Sequence, residues 1–161
     1  WVETPSLPFR QKKWTFYGTK WLDREAKLNV LKIIDSNHAI FYDSWLDPKQ
    51  LNESDYIGQM LNSVFVPCPR GQHVETFRVY EALEHGAFPI IVREEGDSVW
   101  FDFLHSKVPI LSLPSWSHAA AFMTHLLENP DTLDKYRTNI LVKWAQWKAE
   151  LQESVRKLYK L

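Results

Sequence analysis

The residues of this chain best suited to chemistry crowd into one stretch, residues 68–92, which read CPRGQHVETFRVYEALEHGAFPIIV. An apolar run precedes the stretch, so the expected order is strand, loop, helix start. A helix N-terminus presents unpaired N–H groups and about half a positive charge, which makes it an anion site. Arg70 and Gly71 stand in the loop just ahead of it. Glycine lets a backbone come close to a ligand, and arginine can grip a phosphate with two parallel hydrogen bonds. Thr76 adds a hydroxyl. The pattern is neither the glycine-rich dinucleotide fingerprint nor a P-loop. It points to phosphate or carboxylate binding without naming the ligand.

Within the helix that follows, Arg78, Glu81 and His85 lie three and four residues apart, on one stripe. Such a stripe suits a solvent-facing ion pair. It also suits a nucleotide, with Glu81 accepting from two adjacent ribose hydroxyls and Arg78 meeting the diphosphate. Gly18-Thr19-Lys20 offers another cation in Lys20, which reads otherwise as a solvated side chain. Of the six histidines, only His73 and His85 fall near this region, and His73 reads as a loop residue. Asp43 and Asp47 flank Trp45 and read as loop caps. Cys68 reads as a small buried residue at a strand end, although neighbouring Arg70 could activate a thiol there. No histidine or carboxylate spacing matches a metal site, so no metal and no cofactor are expected. No triad order stands out, and the catalytic residues stay unassigned.

These residues need elements to hold them. Trp14 to Tyr17 reads as a strand stopped by Gly18, and residues 22–34 as a helix. Residues 39–42 read as a second strand, and 55–61 as a short helix capped by Ser54 or Asp55 with Tyr56, Met60 and Leu61 inward. Ser63 to Val66 is an unalternating apolar run, as a strand covered on both faces requires. A helix over 75–85 closes at Gly86, and strands follow at 87–92 and 109–112. The charged residues 93–97 read as a loop. Helices over 117–128 and 131–159 finish the chain, the last an amphipathic one whose apolar stripe is Trp144, Trp147, Leu151, Val155 and Leu158. Residues 1–10 read as an extended linker. Alternation of strand and helix predicts an α/β fold: a Rossmann-like, three-layer parallel sheet of about five strands with helices on both faces. Ligands then bind beyond the carboxyl ends of the strands, at 18–20, 43–45, 68–76 and 93–97.

Composition narrows the classes. The 161 residues form one domain with enough chain for a real core. Their net charge of −1 provides no global field for nucleic acid or an anionic membrane. No apolar run approaches the ~18 residues of a membrane span. A single cysteine excludes an internal disulfide framework. Eight tryptophans and 14% aromatics are heavy; such rings fill a core, or line a groove that stacks on sugars or bases. The chain opens on Trp1 rather than Met, as a piece of a longer protein would, so an upstream signal or anchor would lie outside it.

The stretch from Tyr56 to Val92 resembles the C-terminal half of exostosin-type glycosyltransferases. The matching residues are Met60-Leu61, Ser63 to Val66, Pro69-Arg70-Gly71, Thr76-Phe77-Arg78, Glu81-Ala82-Leu83 and Pro89-Ile90-Ile91. Pro8-Phe9-Arg10, Trp14 to Gly18 and Arg24 at a helix start extend the similarity, which spans about residues 8–105. The resemblance implies the nucleotide-sugar donor half of a GT-B enzyme, with two Rossmann-like halves facing across a cleft. It implies a UDP-sugar donor bound without a metal, a glycan or glycoprotein acceptor, and an N-terminal half that completes the enzyme. Arg70, Arg78 and Glu81 carry over as donor-binding positions. The terminal helix fits one that crosses back toward the other half. Residues 94–103, EEGDSVWFDF, depart from the family's acidic, Pro-Phe element, so the resemblance stops short of the sugar pocket. In a eukaryote it implies the Golgi or ER lumen. A non-catalytic nucleotide-binding module of the same fold is the alternative, and a receiver-like signalling domain fits less well, since the first strand lacks a following acidic cluster.

Overall fold

A computed structural model describes residues 4–21, 23–36, 39–44, 46–93 and 98–159. The expected sites at Trp45 and at residues 94–97 lie outside them, as do the start of the linker and Leu22. The chain is α/β. Strands β1 (Lys12–Trp14), β4 (Ser63–Pro67), β5 (Phe88–Val92) and β6 (Ser112–Leu113) form a parallel sheet in the order β1-β4-β5-β6. Strands β2 (Phe16–Thr19) and β3 (Ala39–Tyr42) pair in parallel as a second ladder. Only Thr15 separates β1 from β2, so residues 12–19 are one path serving both ladders. Counted that way, five parallel strands lie in the order β3, β1–β2, β4, β5, β6. The chain order reverses at β1–β2, and such a reversal is where open α/β sheets bind ligands.

The change of ladder has a local cause. Lys12 pairs with Ser63 and Trp14 with Phe65, so the same register would set Phe16 against Pro67. Pro67 has no N–H to give. Lys12 N–H donates to Asn62 O and Thr15 N–H to Phe65 O, an odd separation that regular alternation does not allow. The path therefore twists at Thr15 and turns its next four residues toward β3.

Helices α1 (Arg24–Asn29), α2 (Glu53–Leu61), α3 (Phe77–Glu84), α4 (Ser98–Lys107), α5 (Trp116–Glu128) and α6 (Pro130–Tyr159) flank the sheet. Every residue of β4 is buried, as its unalternating sequence requires. Phe65, Phe88, Ile90 and Ile91 pack with Val79, Ala82 and Leu83 of α3 and Met123 of α5. Phe88 also meets the rings of Phe122 and Tyr136 edge-on. Of the six tryptophans among the described residues, Trp14, Trp116, Trp144 and Trp147 are buried and serve the core.

Several expected boundaries move. Helix α2 begins earlier, because Asn52 rather than Ser54 or Asp55 is the cap: its side chain accepts from Asp55 N–H at 2.8 Å. Helix α3 starts at Phe77, not Glu75, because the Thr76 hydroxyl accepts from Arg78 N–H and caps it. The helix expected over 22–34 is α1 continued by a tighter 3-10 segment, Val30–Ile33, which leaves Ile33 facing solvent. The strand expected over 109–112 shifts to Ser112–Leu113, because Pro109 has no N–H and Ile110 gives its own to Val108 O. Helix α4 has no counterpart in the sequence reading; burial of Phe101 and Leu104 one turn apart holds its aromatic-rich run helical. In α6 the stripe is buried only through Trp147. Leu151, Val155 and Leu158 are exposed, since a helix of 30 residues runs about 45 Å and outreaches the sheet.

Buried arginines fasten the amino-terminal end of the sheet. Arg10 donates to the carbonyls of Pro5, Met60, Ser63 and His85, and Arg137 to those of Gly86 and Pro5. Burial, and the neighbouring charge of Arg137, pull Arg10 down to about 9. Gly86 closes α3 at φ +67°, and a Cβ there would stand 2.8 Å from Thr4 and 2.9 Å from the Arg10 guanidinium. Gly86→Ala is therefore expected to destabilise the fold by at least about 1–2 kcal/mol for the left-handed backbone alone. Urea denaturation with an unchanged midpoint would overturn this account.

Candidate functional site

The path through β2 leaves one side of the strand without a neighbour. Lys20 N–H donates to Tyr42 O on β3, so alternation turns the carbonyls of Tyr17 and Thr19 the other way, toward the vacated side. Two arginines stand there in place of a strand. Arg78 Nη1 donates to Tyr17 O at 3.0 Å, and Arg24 Nη1 donates to Thr19 O at 2.9 Å. Arg24 Nη2 also reaches Arg70 O at 2.9 Å, tying the 68–76 loop to α1. Both guanidinium groups lie against the Phe16 ring, Arg78 at 4.4 Å and Arg24 at 5.7 Å. Phe16 itself is fully buried and packs on Phe41. A buried ring with a guanidinium on its face fixes the cation at little entropic cost.

Gly18 makes the approach possible. A Cβ at this position would come within 3.0 Å of Arg78 Nη2 and of Phe16 Cζ. The glycine thus admits the arginine across the strand.

Above these cations opens a cavity of about 480 Å³, walled by Gly18, Arg24, Tyr42, Tyr56, Arg78 and Glu81 among others. It sits at the carboxyl ends of β2 and β3 and at the start of α3, where the strand order reverses. The Arg24 charge is opposed by burial first and by Arg78 second, and together these pull it down to about 10. Among the described residues no carboxylate forms an ion pair with either arginine. A guanidinium has five N–H groups, and Arg78 gives one of them to Tyr17 O. The remainder of that fork is available to an anion. Glu81 lies on the same wall without pairing to Arg78; its Oε2 accepts from the Tyr56 hydroxyl at 2.8 Å. The stripe of Arg78 and Glu81 is therefore a cavity lining, not a solvent-facing ion pair.

Of the residues singled out from sequence, Gly18, Thr76, Arg78 and Glu81 line this cavity. Arg70, Gly71 and Lys20 do not. Arg70 meets Arg24 through its carbonyl, and Gly71 stands beside the same arginine, where a Cβ would lie 3.6 Å from Arg24 Nη2. Lys20 faces Asp43 at 3.1 Å and Glu25 at 3.9 Å; the hydrogen bond and charge of Asp43 raise it above the usual lysine value. The Thr76 hydroxyl is engaged in capping α3. Asp47 caps its loop, its carboxylate accepting from Asp43 N–H and Lys49 N–H, which hold it below the ordinary aspartate value. Cys68 is buried, and burial pushes its thiol up to about 12, far from activation. Sequence reasoning passed over Arg24 as a site residue, and over Tyr56, Tyr42 and Gln50. Arg24 carried a signal as the arginine opening a helix after the first strand. Tyr56 gave none, since an aromatic on an inward stripe reads as core. Among the described residues no cluster of histidine, cysteine, aspartate and glutamate is arranged to hold a metal, and no helix is long and apolar enough to cross a membrane.

Comparison with known proteins bears on what such a cavity serves. The description of the RXYLT1 C-terminal domain matches residues 9–160. The human protein named ribitol-5-phosphate xylosyltransferase 1 is 32% identical over 136 residues, covering 78% of this chain and 30% of the human protein. The mouse protein of the same name is 29% identical over 164 residues, covering 89% of this chain and 36% of the mouse protein. The chain thus spans about a third of the length of these relatives.

Gly18→Ala tests the packing of the site. The added methyl is expected to push Arg78 off Phe16 and cost about 1–3 kcal/mol by overpacking, with the far-UV spectrum unchanged. A urea midpoint equal to that of the parent chain would show that the arginine does not need this opening.

Proposed function

Because the chain belongs to the RXYLT1 C-terminal domain family, we propose that it is the nucleotide-sugar-binding part of a glycosyltransferase. The observation that carries this reading is the pair of guanidinium groups, Arg24 and Arg78, lining one cavity at the switch point, with no carboxylate among the described residues paired to them. Two fixed cations are the natural seat of a diphosphate, and Glu81 on the same wall accepts hydroxyls. The relatives are named as xylosyltransferases of ribitol 5-phosphate. Carried to this chain, the proposed reaction moves a xylosyl group from a uridine-diphosphate donor to an acceptor bearing ribitol phosphate.

In that reaction the bond between the sugar's anomeric carbon and the β-phosphate oxygen breaks, and an acceptor oxygen takes its place. The departing diphosphate gains negative charge. Arg78 and Arg24, held in place before the reaction by Tyr17 O, Thr19 O and the Phe16 ring, meet that charge without reorganising. In this reading they do so without a bound metal. Arg70 and the N–H groups at the start of α3 border the same loop. The acceptor's proton goes to a base that we place in the remainder of the longer protein, facing the cavity across a cleft. The exostosin-type, two-halved GT-B arrangement is part of this proposal.

Thermal-shift measurement with UDP, UDP-xylose, GDP and inorganic pyrophosphate tests it, since a ligand bound only by the folded chain raises the melting temperature. UDP and UDP-xylose are expected to raise it most. Arg78→Ala, still folded, is expected to weaken UDP binding by about 1.5–3 kcal/mol, and Arg78→Lys to recover part of the loss. Unchanged UDP affinity in Arg78→Ala would overturn the assignment of the cavity to the diphosphate.

A further inference from the structure

Tyr56 lies on α2 and Glu81 on α3, two elements that meet beside the cavity. The Tyr56 hydroxyl donates to Glu81 Oε2 at 2.8 Å, and its ring lies 6.0 Å from the Arg78 guanidinium. Burial, the largest influence, together with the adjacent Glu81 carboxylate raises the phenol well above its ordinary value, so Tyr56 keeps its proton and acts as the donor. Among the described residues Glu81 Oε1 takes no hydrogen bond and no ion pair.

We propose that Tyr56 is a positioning residue that sets the Glu81 carboxylate to receive the two vicinal hydroxyls of a nucleotide ribose. The inference rests on the nucleotide-binding reading of this cavity and adds the device that gives it ribose specificity. A glutamate on a helix surface swings through three side-chain torsions. Anchoring one oxygen on a phenol from another helix removes most of that freedom. The carboxylate offers about four lone-pair sites. Tyr56 occupies one, which leaves Oε1 and the outer side of Oε2 for two adjacent hydroxyl donors. Arg78 does not compete, because it is held by Tyr17 O and by the Phe16 ring. The same wall thus separates its tasks: the arginine for the phosphates, the glutamate for the diol.

Calorimetric titration of UDP and 2′-deoxy-UDP into the parent chain, Tyr56→Phe, Glu81→Gln and the double variant tests this, with urea midpoints recorded alongside. The parent is expected to prefer UDP roughly ten- to one-hundred-and-fifty-fold, the span of losing a hydrogen bond to a charged group. Tyr56→Phe deletes a single oxygen. It is expected to cut the preference to less than about threefold, with UDP losing more affinity than 2′-deoxy-UDP, which has one hydroxyl for Glu81 instead of two. In the Glu81→Gln background the same change is expected to add little, because residues acting through one another are not additive. A mere clip between α2 and α3 would move the urea midpoint and not the ratio. A Tyr56→Phe chain that keeps the full ribose preference overturns this proposal alone. A parent that binds both nucleotides equally also overturns it and leaves the diphosphate site standing. A parent that binds neither removes the nucleotide reading together with it.

Discussion

The two carbonyls of Tyr17 and Thr19 govern the working end of this molecule. They belong to a strand that leaves its neighbour after Thr15, where the continuing register would meet Pro67 and find no N–H. Backbone acceptors in a folded interior require donors, and leaving them unpaired costs on the order of 1–3 kcal/mol each. The chain satisfies them with Arg78 and Arg24. Splitting the ladder makes room for a cavity, and satisfying its orphaned acceptors brings two positive charges to the cavity wall. Backbone necessity and site chemistry are the same set of hydrogen bonds.

The electrostatic consequence follows directly. Two guanidinium groups share the neighbourhood of one phenyl ring, and burial together with the charge of Arg78 opposes that of Arg24. Nothing negative among the described residues pairs with them. Glu81, a carboxylate on that wall, is turned to Tyr56 instead. An anion entering the cavity offsets what opposes the Arg24 charge, so the fold holds part of the binding free energy in readiness. Gly18 is part of this arrangement because any larger residue would meet Arg78.

The opposite end of the sheet shows the same residue type with a different outcome. Arg10 gives its donors to four carbonyls, and Arg137 gives its own to Gly86 O and to Pro5 O, which the two arginines share. Each is buried beside Gly86. An arginine such as Arg10, its donors spent on four main-chain acceptors, is a fastener. An arginine with most of its fork unspent, facing a cavity, is a binding group. The distinction lies in the surroundings of each side chain and not in its identity.

The sequence by itself determined the α/β alternation, the burial of β4, the closure of α3 at Gly86 and the shared stripe of Arg78 and Glu81. Each of these rests on local spacing: an apolar run, a glycine after a helix, residues three apart on one turn. Boundaries moved where a cap lay one or two residues away, as at Asn52 and Thr76, because a side-chain hydrogen bond outweighs a local preference. Helix α4 and the exposed end of α6 depended on what the rest of the chain could cover, which no local pattern records. Only the tertiary structure could bring Arg24 beside Arg78, 54 positions on, and set Tyr56 against Glu81. It also separated Lys20 from the cavity by offering it Asp43. These contacts join residues far apart in sequence, and their partners are chosen by the parting of two ladders at Thr15. That event depends on a proline in a strand laid down 52 residues later.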